Sequence, residues 1–256
     1  MLQLGVLEVC DLRDAEGRDQ LIRQLRADGL ATFGGVADRA ALVEAAGWLM
    51  NIHPHRDSEP DGVTVITGRG DRAQPGLAGF TSAELHPHTD RSGVSQPPVL
   101  LMMTCATAAD HGGESFAVDG RLLHDILASE DPHALRALSR PRSALFGGAG
   151  GHLGAVFETS ADGRVSVRLR LDELARYSPD VEQVLPRLAA LAAANIVSMP
   201  LRAGQGYVLN NSRWLHGRGH FTGPRVMLRL LGEPLAGLGI RPGFTPGRAP
   251  EGTPLP

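Results

Sequence analysis

The sequence predicts a mainly β domain with flanking helices, organised as a β-sandwich or jelly roll. Short segments rich in apolar and β-branched residues recur along the chain, as at 63–67, 98–107 and 225–231. The 32 glycines and 18 prolines divide the chain into many turns. Segments with helical spacing, such as 14–28, are inserted among these strands, and this mixture favours a β-rich core with helices outside it.

The first part of the chain alternates predicted strands and helices. Leu21 and Leu25 lie at helical spacing, and Gly29 suits the position just after a helix. Residues 68–83 are rich in Gly, Arg, Asp and Ser without a clear period, so they form either a loop at the mouth of a site or a plain surface connection. In order, we expect an edge strand at 2–9, a helix at 14–28, a strand at 30–34, a helix capped by Asp38 that runs to Met50, and a strand at 63–67.

The second part of the chain begins with the continuous apolar run 98–107, which is typical of a central strand buried on both faces. Residues 147–154 contain five glycines, and we interpret them as a flap between strands because no strand-then-helix context for a nucleotide loop surrounds them. The other predicted elements are a turn at 110–114, a strand at 115–118, helices starting at Asp119 and Asp131, a hairpin across Asp162-Gly163, a helix from Ser178 to about Asn195 broken near Pro186, and strands at 197–201, 205–210 and 225–231.

The length and composition suit one globular domain, although two small domains remain an alternative. We place a single domain at 1–240 and a Pro/Gly-rich C-terminal tail at 241–256. We expect the chain to fray from Gly239 onward. The net charge of −3 gives no basic field for nucleic acid or an anionic membrane. Two cysteines cannot build a disulfide framework, and no segment has about 18 consecutive apolar residues. We therefore expect a cytoplasmic protein with a small-molecule partner.

The segment from His86 to Asp90 carries the first candidate metal ligands. In an extended chain His88 and Asp90, two positions apart, point to the same side. A second imidazole, His216, stands far downstream. Two histidines and one carboxylate on one face of a metal are the ligands of non-haem Fe(II) oxygenases. The alternatives are a polar turn at Asp90 and a surface histidine at His216.

Two arginines follow His216 at Arg225 and Arg229, four positions apart on a predicted strand. A guanidinium binds a carboxylate through two parallel hydrogen bonds, which lysine cannot do. Each arginine is otherwise a surface charge on a strand. The apolar neighbours Val226 and Leu228 favour a central strand, where an arginine without a partner would be costly.

These residues together resemble those of an Fe(II)/2-oxoglutarate-dependent oxygenase of the taurine dioxygenase and clavaminate synthase type. The resemblance rests on three motifs and two arginines: His88-Thr89-Asp90, Gly112-Gly113-Glu114-Ser115, and Leu215-His216-Gly217-Arg218 followed by Arg225 and Arg229. It implies a double-stranded β-helix, the cupin-like jelly roll, with the metal inside its mouth. Because the familiar pattern runs His-Gly-Arg, it selects His216 over His220, and the position of Asp90 selects His88 over His86.

The resemblance also implies roles for the site residues and the reaction. His88, Asp90 and His216 would bind Fe(II), while Arg225 and Ser115 would bind the distal carboxylate of 2-oxoglutarate. Related enzymes more often have threonine in place of Ser115. Arg229 would bind either the metal-side carboxylate of the cosubstrate or an acidic group of the substrate.

With O2 as the oxidant, the implied reaction hydroxylates a C–H bond of a small amino acid or amino-acid-derived metabolite and yields succinate and CO2. Asp90 favours hydroxylation over halogenation, because related halogenases have a small residue at this position. Desaturation, epoxidation or cyclisation with the same cofactors are alternatives. A zinc hydrolase is another alternative, since zinc accepts two histidines and a carboxylate. A non-catalytic jelly-roll binding module is a further one.

The remaining polar residues have simpler interpretations. Asn210 and Asn211 either line the site or hold a turn. Six histidines are expected to be solvated or to cap helices: His53, His55, His111, His124, His133 and His152.

Overall fold

A computed structural model describes residues 8–68 and 76–247, and five α-helices lie in these ranges. Their bounds are α1 (Ala15–Ala27), α2 (Arg39–Gly47), α3 (Gly120–Glu130), α4 (Pro132–Leu138) and α5 (Pro179–Ala194), with a 3₁₀ turn at Ala78–Phe80. The first four are capped by aspartates whose side chains accept backbone N–H groups: Asp14, Asp38, Asp119 and Asp131. None of these helices combines the length and the apolar character needed to cross a lipid bilayer.

A seven-stranded sheet forms one wall of the fold. It runs in the order β1-β2-β15-β6-β18-β3, and β4 also pairs with β18. The strands are β1 (Val9–Asp11), β2 (Leu30–Gly34), β3 (Met50–Ile52), β4 (Thr64–Thr67), β6 (Leu100–Thr107), β15 (Gly206–Asn210) and β18 (Val226–Pro234). Apart from the parallel pair β1–β2, its pairings are antiparallel.

A four-stranded antiparallel sheet in the order β14-β8-β16-β5 forms the opposite wall. Its strands are β5 (Leu85–His88), β8 (Ser115–Asp119), β14 (Val197–Met199) and β16 (Trp214–Arg218). Shorter ladders join the connections: β7 (His111–Gly112) with β17 (Phe221–Thr222), β9 (Ala144–Phe146) with β10 (His152–Gly154) and β13 (Ala175–Tyr177), and β11 (Phe157–Thr159) with β12 (Val165–Val167).

Strand β6 shows why the run 98–107 is continuously apolar. Leu100 and Met102 pack into a core shared with α1 and α2, on the outer face of the large sheet. Leu101 and Met103 point the other way, into a core between the two sheets. Both faces are therefore buried, as the sequence predicted, and a third core packs α3, α4 and α5 behind the small sheet.

Helix boundaries differ from the prediction in two places. The helix capped by Asp38 ends at Gly47, and Met50 instead begins β3, where it pairs with Pro234. The predicted break at Pro186 is wrong, because α5 continues through that residue. A proline inside a helix costs about 3 kcal/mol. Here Val181 on one side of it and Leu188 on the other are both buried against the same core, and this packing holds the two halves in line.

The predicted edge strand at 2–9 lies almost entirely outside the described residues; the described strand starts at Val9. At the other end, the expected fraying from Gly239 is wrong for residues 239–247. Phe244 is 2% exposed and exchanges backbone hydrogen bonds of 2.8 Å with Val165. Arg164 holds the same segment through the carbonyl oxygens of Pro242 and Gly243. This segment closes the core behind the small sheet.

Candidate metal centre

Three of the predicted site residues converge between the two sheets. His88 ends β5 and His216 lies in the middle of β16, and antiparallel pairing places these two residues opposite each other. Asp90 follows in the turn after β5. The potential ligand atoms of the three residues all lie within 4.8 Å of one another. The Oδ1 atom of Asp90 is 3.6 Å from Nε2 of His88 and 4.0 Å from Nε2 of His216.

The backbone of Asp90 is held by one side chain, Asn211, in the turn between β15 and β16. Its Oδ1 accepts the backbone N–H of Asp90 at 2.8 Å, and its Nδ2 donates to the Asp90 carbonyl at 2.9 Å. The same Nδ2 also donates to the carbonyl of Pro98 at 3.1 Å. Asn211 is 1% exposed, so it fixes the Asp90 backbone from within the core. This confirms that Asn211 holds a turn.

The hydrogen bonds and the burial of the three groups suit metal binding. Nδ1 of His88 donates to the His86 carbonyl across 2.9 Å, and this bond turns Nε2 of the same ring towards Asp90. Burial lowers the pKa of His216 to about 3, so this imidazole is neutral at physiological pH. Burial alone would raise the pKa of Asp90, but the adjacent guanidinium of Arg229 outweighs it and holds that pKa well below its usual value. The site thus presents a carboxylate beside the neutral imidazole of His216 and the Nε2 atom of His88.

Arg229 projects from β18, on the large sheet, towards this centre. Its Nη1 donates to Oδ2 of Asp90 at 2.9 Å, so the arginine binds the carboxylate oxygen on the side away from the closest histidine contact. Its Nε is buried without a hydrogen-bond partner among the described residues. Arg229 therefore orients Asp90 and retains a free N–H inside the site.

Arg225 immediately precedes the same strand, four positions before Arg229. It is 7% exposed, and burial lowers its pKa. Its one side-chain hydrogen bond among the described residues is a long one, 3.4 Å from Nη2 to Oγ of Ser115. Phe221 lies 5.5 Å from its guanidinium carbon. This buried cation, beside a hydroxyl, is a site for a carboxylate ligand.

All six predicted site residues line one cavity of about 410 Å³. Its inner end holds the histidines, Asp90 and the two arginines, and its mouth is formed by segments of four connections: 55–57, 76–84, 147–151 and 170–174. The loop prediction for 68–83 and the flap prediction for 147–154 both fall at this mouth, although 69–75 lie outside the described residues and His152–Gly154 form β10.

The rival histidines lie outside the group of potential metal ligands, although His86 lines the same cavity. The His86 side chain is 67% exposed and approaches Glu84 at 3.8 Å, and His220 is exposed beyond the end of β16. Neither belongs to the cluster that could hold a metal.

Two of the cavity residues that sequence reasoning did not assign to the site are His55 and Arg218. His55 was expected to be solvated or capping, yet it lines the cavity, and burial lowers its pKa. Arg218, treated only as part of the His-Gly-Arg motif, is 3% exposed and caps a row of backbone carbonyls in the segment 78–83, including those of Thr81 and Ala83. His55 lies within the polar run 53–58, and nothing in that run predicts that it lines a cavity. Arg218 could have been found, because residues two positions apart in a strand lie on the same face and His216 was already assigned to the interior.

Comparison of the sequence with known proteins identifies a matching family and a relative. Residues 5–231 match the model of the family described as taurine catabolism dioxygenase TauD, TfdA family. A uridine-5′-phosphate dioxygenase of a Streptomyces species is 28% identical over 233 residues, which cover 82% of this chain and 84% of that protein.

Solved structures show the same fold at low identity. Asparagine oxygenase in complex with Fe(II), 2S,3S-3-hydroxyasparagine and succinate superposes with a TM-score of 0.68 at 17% identity, covering 86% of this chain and 79% of that one. The non-haem iron oxygenase OrfP, in complex with Fe, succinate and (3R,4R)-dihydroxy-L-Arg, gives 0.67 at 16% identity, covering 86% and 81%. The predicted jelly-roll core is confirmed by this likeness and by the two facing sheets.

Proposed function

This chain belongs to the taurine catabolism dioxygenase TauD, TfdA family, and we propose that it hydroxylates a small amino acid or an amino-acid-derived metabolite. The cofactors are Fe(II), 2-oxoglutarate and O2, and the coproducts are succinate and CO2. In the bound state, iron and 2-oxoglutarate together supply an oxidant able to attack an unactivated C–H bond. The other outcomes open to these cofactors, desaturation, epoxidation and cyclisation, differ only in the fate of the oxidised carbon.

One observation carries this proposal: His88, Asp90 and His216 bring their ligand atoms within 4.8 Å of one another beside a buried, incompletely paired Arg225. The donor set is the one that leaves open positions on ferrous iron. A zinc hydrolase accounts for the three ligands, but it gives no role to a buried arginine and serine beside them.

We assign each side chain a task in holding the reactants. His88, Asp90 and His216 would hold the metal, and Arg229 would keep Asp90 ionised and oriented through its 2.9 Å bond to Oδ2. Arg225 and Ser115 would bind the distal carboxylate of 2-oxoglutarate, because a buried guanidinium gains most from a bidentate anion. The apolar side chains Met103, Leu85 and Phe80 in the cavity wall would limit water at the reacting carbon.

The assignment of the substrate class comes from the relatives. Asparagine oxygenase and OrfP were solved with hydroxylated amino acids, and both share this fold. The Streptomyces relative is named for a nucleotide instead. A polar substrate with at least one anionic group is common to all three.

We further propose that residues 1–240 form a single oxygenase domain, against which the beginning of the Pro/Gly-rich segment 241–256 packs through Phe244. The protein would work in the cytoplasm on a small molecule, without nucleic acid or membrane. Its net charge of −3 supports the absence of a polyanionic partner.

The test is an anaerobic titration of the protein with Fe(II) and 2-oxoglutarate. We expect a visible metal-to-ligand charge-transfer band, and slow succinate formation once air is admitted. The same protein loaded with Zn(II) serves as the control and should give neither signal. Failure to form the band with Fe(II), or succinate formation that is equal with Zn(II), would reject the proposed function.

A further inference from the structure

The turn that carries Asp90 contains a second feature that the proposed metal site does not use. Arg91, the next residue, has a φ of +57°, in the left-handed region that residues other than glycine seldom adopt. Such a conformation is strained, and it persists only where the surroundings impose it. Arg91 is half-buried and lines the cavity.

The surroundings of Arg91 do impose this conformation. Asn211 holds the backbone of Asp90 on one side. On the other side Arg168, itself 7% exposed, donates from Nη1 to the carbonyls of Ser92 and Val94, each at 2.6 Å. With both flanks fixed from the core, the Arg91 side chain leaves the turn in one defined direction.

Among the described residues, no carboxylate pairs with the positive charge of Arg91. Each carboxylate that lines the described cavity has a cationic or imidazole neighbour: Asp90 with Arg229, Asp172 with Arg170, Asp57 with Arg56, and Glu84 with His86. The Arg91 guanidinium makes no hydrogen bond or ion pair with any residue in the described ranges. Its charge does reach into the site, because it is among the groups that lower the pKa of His55.

We propose that Arg91 binds an anionic group of the substrate, a carboxylate or a phosphate, and so helps to set substrate specificity. This inference rests on the proposed function. Arg229 is less suited to the task, because its positive charge is already paired with Asp90 at 2.9 Å. Arg91 lines the same cavity as the proposed metal ligands, so an anion bound to it is held in the cavity that contains the reacting centre. Its planar guanidinium matches either a carboxylate or a phosphate.

The experiment uses the full chain loaded anaerobically with Fe(II) and 2-oxoglutarate, whose charge-transfer band changes when a compound binds beside the metal. Three probes that each carry an anionic group are titrated against counterparts that lack it: L-asparagine and L-arginine against their carboxamides, and uridine 5′-phosphate against uridine. The variant Arg91→Asn removes the guanidinium, and asparagine tolerates the left-handed backbone. Arg91→Lys keeps the charge but loses the fork. Arg56→Ala is the matched control, since Arg56 lines the same cavity but is exposed and lies beside Asp57.

We expect at least one probe with an anionic group to change the band while its counterpart without that group does not. Arg91→Asn should raise the apparent Kd of that probe about tenfold or more, the loss of one charge-assisted pair. Arg91→Lys should recover part of the affinity, and Arg56→Ala should alter Kd by no more than about twofold, as for an exposed charge. A carboxylate or a phosphate is identified by which probe pair responds.

Equal affinities in the wild-type protein and Arg91→Asn would overturn the inference. So would binding only by the counterparts that lack the anionic group, or no band change with any probe that carries it at millimolar concentration. Absence of the band before any probe is added is a different failure, which rejects the proposed function and this inference with it.

Discussion

The inner end of the cavity and its mouth are built from different parts of the fold. At the inner end, His88 and His216 face each other across paired strands, and Arg225 and Arg229 project from the start of a strand in the opposite sheet. The mouth consists of connections between strands, such as 76–84 and 147–151. Strand register fixes the inner residues, whereas the mouth depends on side chains that reach across to loop backbone.

Buried arginines show this difference most clearly. Arg218 donates to several backbone carbonyls of the segment 78–83, and Arg168 donates to those of 92–95. Burial lowers the pKa of Arg218 to about 10, and the carbonyls around it compensate for lost water. Arg225 is equally buried but has one long bond to Ser115. An arginine whose donors are used holds a loop, and one whose donors remain unused is available for a ligand.

The largest expected effect comes from breaking the inner end at Asp90. Asp90→Ala should abolish succinate formation, because one of three proposed ligands is lost and Arg229 is left buried without its partner. Circular dichroism and Fe(II) binding should be measured alongside activity, with Asp90→Asn as the variant of matched shape. A folded Asp90→Ala protein with full turnover would remove Asp90 from the proposed ligands.

The next effect distinguishes a ligand-binding arginine from a loop-holding one. Arg225→Ala should raise the apparent KM for 2-oxoglutarate roughly a hundredfold, because a charge-assisted bidentate pair is lost. Iron affinity without cosubstrate should stay unchanged. Arg225→Lys should fall between the two proteins, and an unchanged 2-oxoglutarate requirement in Arg225→Ala would refute its role.

Asn211 tests whether register alone fixes the inner end. Asn211→Ala removes three hydrogen bonds around Asp90 and Pro98, so iron affinity should fall roughly tenfold, as for other residues that orient a ligand. Asn210→Ala is the control, because its amide holds the carbonyl of Arg241 instead. Both variants should lower the free energy of unfolding by about 1–3 kcal/mol. If both also weaken iron binding equally, the loss reflects general destabilisation.

The smallest expected effect concerns the rival histidine. His86→Ala should leave iron affinity and turnover within about twofold of the wild type, since its side chain is 67% exposed. His88→Ala, two positions away, should lose both. If His86→Ala binds iron no better than His88→Ala, the assignment of His88 is wrong.

Local sequence signals predicted most of the fold. The β2 strand has the predicted bounds, and Asp38, Asp119 and Asp131 cap helices as expected. Segments whose structure depends on distant partners were mispredicted. Met50 was assigned to a helix because it is apolar, yet pairing with Pro234, far along the chain, makes it a strand residue. Strand β16 was not predicted, because its sequence shows no alternation of apolar and polar residues. It forms a strand because it pairs with β8 on one side and β5 on the other.

The sequence by itself predicted which residues would come together: two histidines, one aspartate, two arginines and a serine. Their residue types and their order along the chain are the signal that identified them. Only the tertiary structure decided how they are held, through Asn211 at Asp90, the Arg229 bond to the same carboxylate, and the forced backbone of Arg91. The physical reason is that the chemical groups of each side chain are known from the sequence alone. The hydrogen bonds that orient these residues join positions more than 100 residues apart and exist only once both sheets have formed.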